Sequence, residues 1–287
     1  MAGDGSRVPP SGMEYNGPME PSDRPGLTLL PRFQTVAPAV GFYESIYLKA
    51  VHPSEPTAFW IRYTIHKKPG DGPVGSVWST FFDASLTSPA TAKVTVADPR
   101  VVNDLFTMGD CSIGNGAASG AVLSHRWDLR FSGDGPELRH LPKTWMYDAP
   151  VPRTKLSSPF PIATFNGSFH VRDRELQVDG WRGMVGHNWG SQHAERWIWL
   201  HAIFDDASWL DVAVGRIRIA RITTPWVANG AVCIGGVRHA VGGLRTIRGT
   251  KVVANVNECR FSLPGELPLA GKVTRRPEAT VAWEYRD

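Results

Sequence analysis

Cysteine is scarce in this chain. Cys111, Cys233 and Cys259 are far apart, odd in number and without a Cys-x-x-Cys spacing. That excludes a disulfide framework and a cysteine zinc site. Long apolar runs are also missing. None approaches the ~20 residues of a membrane-spanning helix, so no membrane span is expected. Charge of one sign is nowhere concentrated: the formal net charge is +4 over 287 residues, and the basic side chains are scattered. Nucleic acid is therefore not an expected partner. Residues 1–26 are polar and rich in proline and glycine. They lack the apolar segment of a secretory signal and read as a disordered or loosely attached arm, with the cytoplasm as the default location. The Gly-x-Ser-x-Gly, His-Glu-x-x-His and Gly-x-Gly-x-x-Gly signatures are absent. SIGNGAASG (112–120) lacks the Gly-Lys-Ser/Thr ending of a phosphate loop and reads as a tight β turn or bulge. No cofactor and no metal site are assigned.

What the chain does have is tryptophan, proline and glycine, at 11, 23 and 29 residues. The first implies a heavily aromatic interior, and the other two punctuate short strands. YESIYLKAVH (43–52), AFWIRYTIHKK (58–68), SVWSTFFDAS (76–85) and TAKVTVAD (91–98) read as an antiparallel meander. In the second run Phe59, Ile61, Tyr63 and Ile65 share one face, with Trp60, Arg62, Thr64 and His66 on the other. Residues 99–110 are read as a short helical turn and 121–133 as a strand. The proline-punctuated segment 137–161 reads as an extended linker between two halves, and 163–190 as a hairpin. Further strands are expected over 195–206, 208–220, 226–244, 251–263 and 272–287, with Asn229-Gly230 as a hairpin turn. No long segment shows a helical period. The chain is therefore mainly β, as one closed barrel or as two barrels or sandwiches side by side.

The densest chemistry lies in GMVGHNWGSQHAERWIWLHA (183–202). On a strand, Trp181, Gly183, Val185, His187 and Trp189 share one face. After a turn near 190–193, Trp197, Trp199 and His201 share a face of the next strand. Paired through that turn, the two strands would form an aromatic wall with imidazoles set in it. That suits proton handling on an apolar substrate, because histidine titrates near neutral pH and tryptophan faces attract cations. A metal reading would need His187 and His201 to meet across strands with Glu195 or Asp211, and it is the weaker one. His193 and Glu195, in a polar turn, are expected to face solvent. Glu44 and Arg62 are candidates for an inward ion pair in the first barrel.

HNWG at 187–190 followed by RWIWLHA at 196–202 resembles the signature of a lipocalin-like superfamily. Its members include carotenoid 1,2-hydratase (hydroxyneurosporene synthase), AttH-type proteins, tocopherol cyclase-like proteins and fungal Diels–Alderases. The runs YESIYLKA, FWIRYT, WDLRF and FNGSFHV extend the resemblance over roughly residues 40 to 245. It implies two packed calycin-type β-barrels or barrel-like sandwiches, here over 27–160 and 161–287. It also implies a ligand pocket near His187, Asn188 and Trp189. Gly186 stands where hydratase-like members often carry an acid before the histidine.

The expected function is binding of a large apolar molecule, isoprenoid, polyene or polyketide-like. The expected chemistry is a hydration, cyclisation or isomerisation without a redox cofactor. His187 and Asn188 are the catalytic candidates. Trp189, Trp197, Trp199, His201 and Tyr63 are the substrate-binding candidates. The alternative is a non-catalytic carrier of a lipid or pigment. The sequence leaves the oligomeric state unknown.

Overall fold

Among the described residues strands carry most of the backbone hydrogen bonding, with short 3-10 helices at Phe33–Thr35, Thr144–Tyr147 and Leu244–Gly249. The structure, a computed structural model, describes residues 31–276 apart from 115, 134, 220 and 221. The arm expected at 1–26 and most of the strand expected at 272–287 lie outside the described residues.

Twelve strands build the first sheet. They are β1 (Phe42–Val51), β2 (Thr57–Lys67), β3 (Val74–Asp83), β4 (Ala90–Val96), β5 (Arg100–Val102), β6 (Leu105–Met108), β7 (Cys111–Gly114), β8 (Ala117–Val122), β9 (His125–Gly133), β10 (Leu138–Arg139), β11 (Thr154–Val171) and β12 (Arg174–Gly190). The order is β4-β3-β2-β1-β12-β11-β9-β8-β7-β6-β5, with β10 beside β11. The sheet curls into a half-barrel, bringing β3 and β4 towards β6 and β8.

Period-two alternation sets which face of the sheet is buried. In β9, His125, Trp127, Leu129 and Phe131 are buried while Arg126, Asp128 and Arg130 face solvent. The inward side chains meet in an aromatic core. Phe59 stacks on Phe169 at 5.2 Å and on Trp181 at 5.5 Å. Each such ring contributes roughly 2–3 kcal/mol by burial alone. The face expected for Phe59, Ile61, Tyr63 and Ile65 is this core face.

The second unit begins with β13 (Arg196–Ile203) and β14 (Trp209–Arg216). A two-residue ribbon, β15 (Arg218–Ile219) with β16 (Ile222–Thr223), interrupts it. Then follow β17 (Val227–Ile234), β18 (Val237–Gly242), β19 (Lys251–Ala254), β20 (Glu258–Leu263) and β21 (Leu269–Thr274). One sheet has the order β13-β14-β17-β18, and β19, β20 and β21 form another. Val212, Val214, Ala228, Val241 and Leu263 share its core. Leu138, Trp209, Ala231 and Cys233 form a further cluster that joins β10 to β14 and β17, with Ile162 of β11 against it. The chain is thus mainly β and barrel-like, as the sequence implies. The boundary expected at 160/161 falls inside β11, which is paired on both edges, to β9 and β12.

Several local expectations are corrected. Residues 99–110 are not helical but form the β5–β6 hairpin. Asn103 and Asp104, both left-handed at φ 50° and 62°, make its two-residue turn. The strand expected over 121–133 is cut at Leu123–Ser124, between β8 and β9. Asn229-Gly230 is not a turn but lies within β17. A Cβ on Gly230 would come within 2.1 Å of Asp211 O, so the glycine serves close approach to β14. The turn is at Gly235–Gly236, with φ 56° and 80°. The segment expected to be an extended linker is tied down. Tyr147 Oη accepts from Leu141 N–H and donates to Leu156 O, and Lys155 Nζ caps the carbonyls of Ala149 and Pro152.

A cleft between the two β units

β1 lies between β2 and β12, and its register sorts side chains to two interiors. Tyr43, Ser45, Tyr47 and Lys49 share a face with Gly186 and Asn188 of β12 and with Trp60, Arg62 and Thr64 of β2. The opposite face carries Glu44, Ile46 and Leu48 with Val185, His187 and Trp189. The first face forms one wall of a cleft; β13, β14 and β17 form the other. The cavity is about 160 Å³. Tyr43, Tyr47, Trp60, Arg62 and Asn188 line it on one side, and Trp197, Trp199 and Val214 on the other. Its surface is mostly apolar, as ligand sites are. No Asp or Glu is among the lining residues.

Tyr47 fixes the first wall. It meets Trp199 edge-on at 5.2 Å, and it covers Gly186. A Cβ at Gly186 would lie 2.4 Å from the Tyr47 ring, so the missing acid before His187 has a steric cause. Burial pushes the Tyr47 phenol up, and nearby Asp211 adds to this. Burial likewise pushes Tyr43 up to about 12. Two buried polar atoms of cleft-lining residues have no hydrogen-bond partner, Trp60 Nε1 and Asn188 Oδ1, while the Tyr43 phenol has the Thr154 hydroxyl beside it.

Behind Trp199 the two units are pinned by a buried carboxylate. Asp211 is fully buried. It accepts hydrogen bonds from Trp199 Nε1 (2.9 Å), His140 Nε2 (3.2 Å) and Ser158 Oγ. Burial alone would push its carboxyl up. The imidazoles of His140 and His201 and the Ser158 hydroxyl outweigh that and hold it well below the usual carboxylate range. Lys49 Nζ reaches across to His201 O at 3.2 Å and sits 5.2 Å from the Trp199 ring. Burial draws Lys49 down to about 8 against the pull of Asp211. Burial and Lys49 draw His201 down to about 4. A serine, a histidine and an aspartate converge here, but the serine hydroxyl donates to the carboxylate, so no nucleophile is activated.

The structure brings Asn188, Trp197 and Trp199 to the cleft. His201 lies behind it, with Nε2 donating to Pro161 O at 3.0 Å. His187 and Trp189 are on the far face of β12. His187 Nε2 bonds Glu44 Oε1 at 2.7 Å, and Trp189 lies between His187 and the Arg32 guanidinium. Tyr63 is in the half-barrel core and donates to Ser112 O. β12 pairs with β1 and β11, and β13 with β14, so the two strands of the expected wall do not pair with each other. They face one another across the cleft instead. Glu44 and Arg62 are not a pair, because they occupy opposite faces. Glu44 also accepts from the Arg32 and Phe33 N–H groups, and Arg62 Nε donates to Ser45 Oγ. His193 is solvent-exposed as expected, but it also lines the cleft rim and stacks on Tyr43 at 3.6 Å.

Sequence reading missed Tyr43 and Tyr47 in the site. The alternation of Tyr43, Ser45, Tyr47 and Lys49 was a usable signal, since a wholly solvent-facing strand side seldom carries two tyrosines. His140 offered none, because it sits in irregular chain.

A likeness to a solved structure bears on this architecture. The crystal structure of NE1406 of Nitrosomonas europaea, a candidate AttH protein, superposes with a TM-score of 0.56 at 12% identity, over 81% of this chain and 80% of that one. The two share a fold. No family model matches the chain. Two uncharacterized proteins of Mycobacterium tuberculosis, Rv0493c and MT0513, are each 27% identical over 185 residues. That is 64% of this chain and 55% of theirs, so the chain spans about half the length of the curated relatives it matches. Among the described residues no helix is long and apolar enough to cross a membrane, and no three His, Cys, Asp or Glu side chains are grouped to hold a metal ion.

Proposed function

We propose that the chain binds a mainly apolar small molecule, of the isoprenoid, polyene or polyketide kind, in the cleft between the two units. It then guides cyclisation or isomerisation by holding that molecule in one folded shape, without a redox cofactor. The supporting observation is an aromatic, mostly apolar cleft with no carboxylate in its lining. An engineered cavity of about 150 Å³ holds a benzene-sized molecule. The cleft therefore takes one segment of a long ligand, and the rest lies along its open side.

In this reading Trp60, Trp197 and Trp199 shape the ligand and stabilise developing positive charge. Asn188 orients it. The raised phenols of Tyr43 and Tyr47 stay protonated at neutral pH, so they donate hydrogen bonds and are not bases. His193 at the rim is the imidazole placed for proton transfer. His187, bonded to Glu44 on the far face of β12 and β1, then serves the stability of the first unit and takes no part at the cleft.

The second reading, a carrier, is favoured by one observation: the His187–Glu44 pair faces away from the cleft. The test begins with solvent extraction of protein from its native host and mass spectrometry of the extract. The recovered molecule is then titrated against the wild type, Trp197→Ala and Trp199→Ala. Binding that neither substitution weakens overturns the cleft assignment. A ligand that returns chemically unchanged after incubation decides for the carrier.

A further inference from the structure

Among the described residues Arg62 is the one Asp, Glu, Lys or Arg side chain in the cleft lining. Its place follows from the strand register. Arg62 stands on β2 at the level of Tyr47. Its Nε donates to Ser45 Oγ at 2.6 Å, so the side chain leans along β1 from the Tyr47 level towards Tyr43. Ser45 is fully buried and does not line the cleft, whereas Arg62 does. The guanidinium therefore covers Ser45 and forms the wall between the two tyrosines. Its charge draws both phenols down against the effect of burial, as a cation close to each would. The carboxylate of Asp211 lies behind Trp199, outside the lining, and three donors already hold it.

Resting on the reading of the cleft as an apolar binding site, we propose that its ligand is an amphiphile, a long apolar body ending in a single carboxylate that sits at the Arg62 guanidinium between Tyr43 and Tyr47. The lining carries a fixed positive charge and no negative one. An anion beside that charge in apolar surroundings gains more than it would in water, and a cation is repelled. The planar guanidinium matches the two oxygens of a carboxylate. One charge also offsets one charge. A phosphate monoester, at about −1.5 to −2, would bring uncompensated charge into an apolar cleft. Tyr47, whose phenol stays protonated, adds a donor beside the head group. The carboxylate fixes one end of the ligand, and the body folds against Trp199 and Trp197 on the opposite wall.

The test is displacement of a bound neutral probe, N-phenyl-1-naphthylamine, by four ligands of one chain length: dodecanoate, methyl dodecanoate, dodecylammonium and dodecyl phosphate. At neutral pH dodecanoate should bind about tenfold more tightly than its methyl ester, although the ester is the more apolar, and dodecylammonium should bind worst. Arg62→Met should bring acid and ester within about threefold of each other and leave the affinity of the ester unchanged. Acid and ester binding alike in the wild type, or dodecylammonium binding best, overturns the inference and leaves the apolar binding reading standing. A preference for the acid that survives Arg62→Met overturns the assignment to Arg62, and dodecyl phosphate binding more tightly than dodecanoate overturns the single carboxylate. If none of the four displaces the probe, the binding reading falls and the inference with it. The wild-type ranking decides the question even where Arg62→Met folds poorly.

Discussion

His187 Nε2 lies 2.7 Å from Glu44 Oε1, and both side chains point into the half-barrel, on the face of β12 and β1 opposite the cleft. The histidine of the HNWG stretch is therefore joined to a carboxylate from a strand 143 residues away in sequence. That carboxylate also holds the Arg32 and Phe33 N–H groups, closing the end of the first unit.

The first prediction concerns that closure. In Glu44→Gln an amide N–H₂ replaces an acceptor oxygen facing several donors. About 3 kcal/mol of stability should be lost, because a buried polar network is left part-satisfied. Urea unfolding measures this. Affinity for the ligand, measured below the unfolding midpoint, should change less than threefold. A stable variant with abolished binding would contradict the placement of the site.

Gly186 tests the first wall of the cleft. Gly186→Ala should cost about 1–3 kcal/mol, because its methyl group meets the Tyr47 ring. Adding Tyr47→Ala in the same chain should recover part of the loss, a non-additivity that a double-mutant cycle reads directly.

Acid sensitivity should trace to the seam between the units. His201 titrates near 4 in the folded chain against about 6.5 unfolded. Between those values the unfolded chain binds the extra proton, so stability rises with pH across that window and is lost as pH falls through it. The loss should be roughly 2 kcal/mol, discounted for the partial exposure of the ring. Lys49, Asp211 and His140 face it, and Asp211 adds its own loss only at lower pH. Melting temperatures from pH 7 to pH 4.5 should fall for the wild type and fall less for His201→Gln.

Asp211 joins stability to the site. Asp211→Asn turns an acceptor oxygen into a donor against Trp199 Nε1, His140 Nε2 or Ser158 Oγ. A stability loss of about 3 kcal/mol is expected, with ligand affinity falling because Trp199 loses its anchor. Ser158→Ala, which removes one donor and leaves the indole bond, should cost about 1 kcal/mol and leave affinity within threefold.

Periodicity made the strands legible. Phe59 to Ile65, the four-strand meander and the hairpin over 163–190 all follow from alternation, which is a local property. Partnership between strands is not local. Nothing between Gly190 and Arg196 says that β12 turns to β1 while β13 turns to β14, and this alone parted His187 from Trp199. Turn chemistry misled where a glycine had another use. Gly230 was a turn signal in sequence and is a close-approach residue in space. For the site, Asn188, Trp197 and Trp199 were readable because they sit in a dense aromatic stretch. Asp211 and Tyr47 were not, because their significance lies in what a distant strand brings beside them.

β1 is a partition with a room on each side. Glu44, Ile46, Leu48 and Ala50 furnish the half-barrel, and Tyr43 and Tyr47 furnish the cleft. Most strands at a barrel surface can drift on their outer side without consequence, but this one has no outer side. A change that adapts the cleft to a new molecule through β1 must also respect the room behind it. The opposite wall, on β13 and β14, carries no such second duty at Trp197, which stands 58% exposed. New ligand preferences should therefore arise first on that wall, with the partition held fixed.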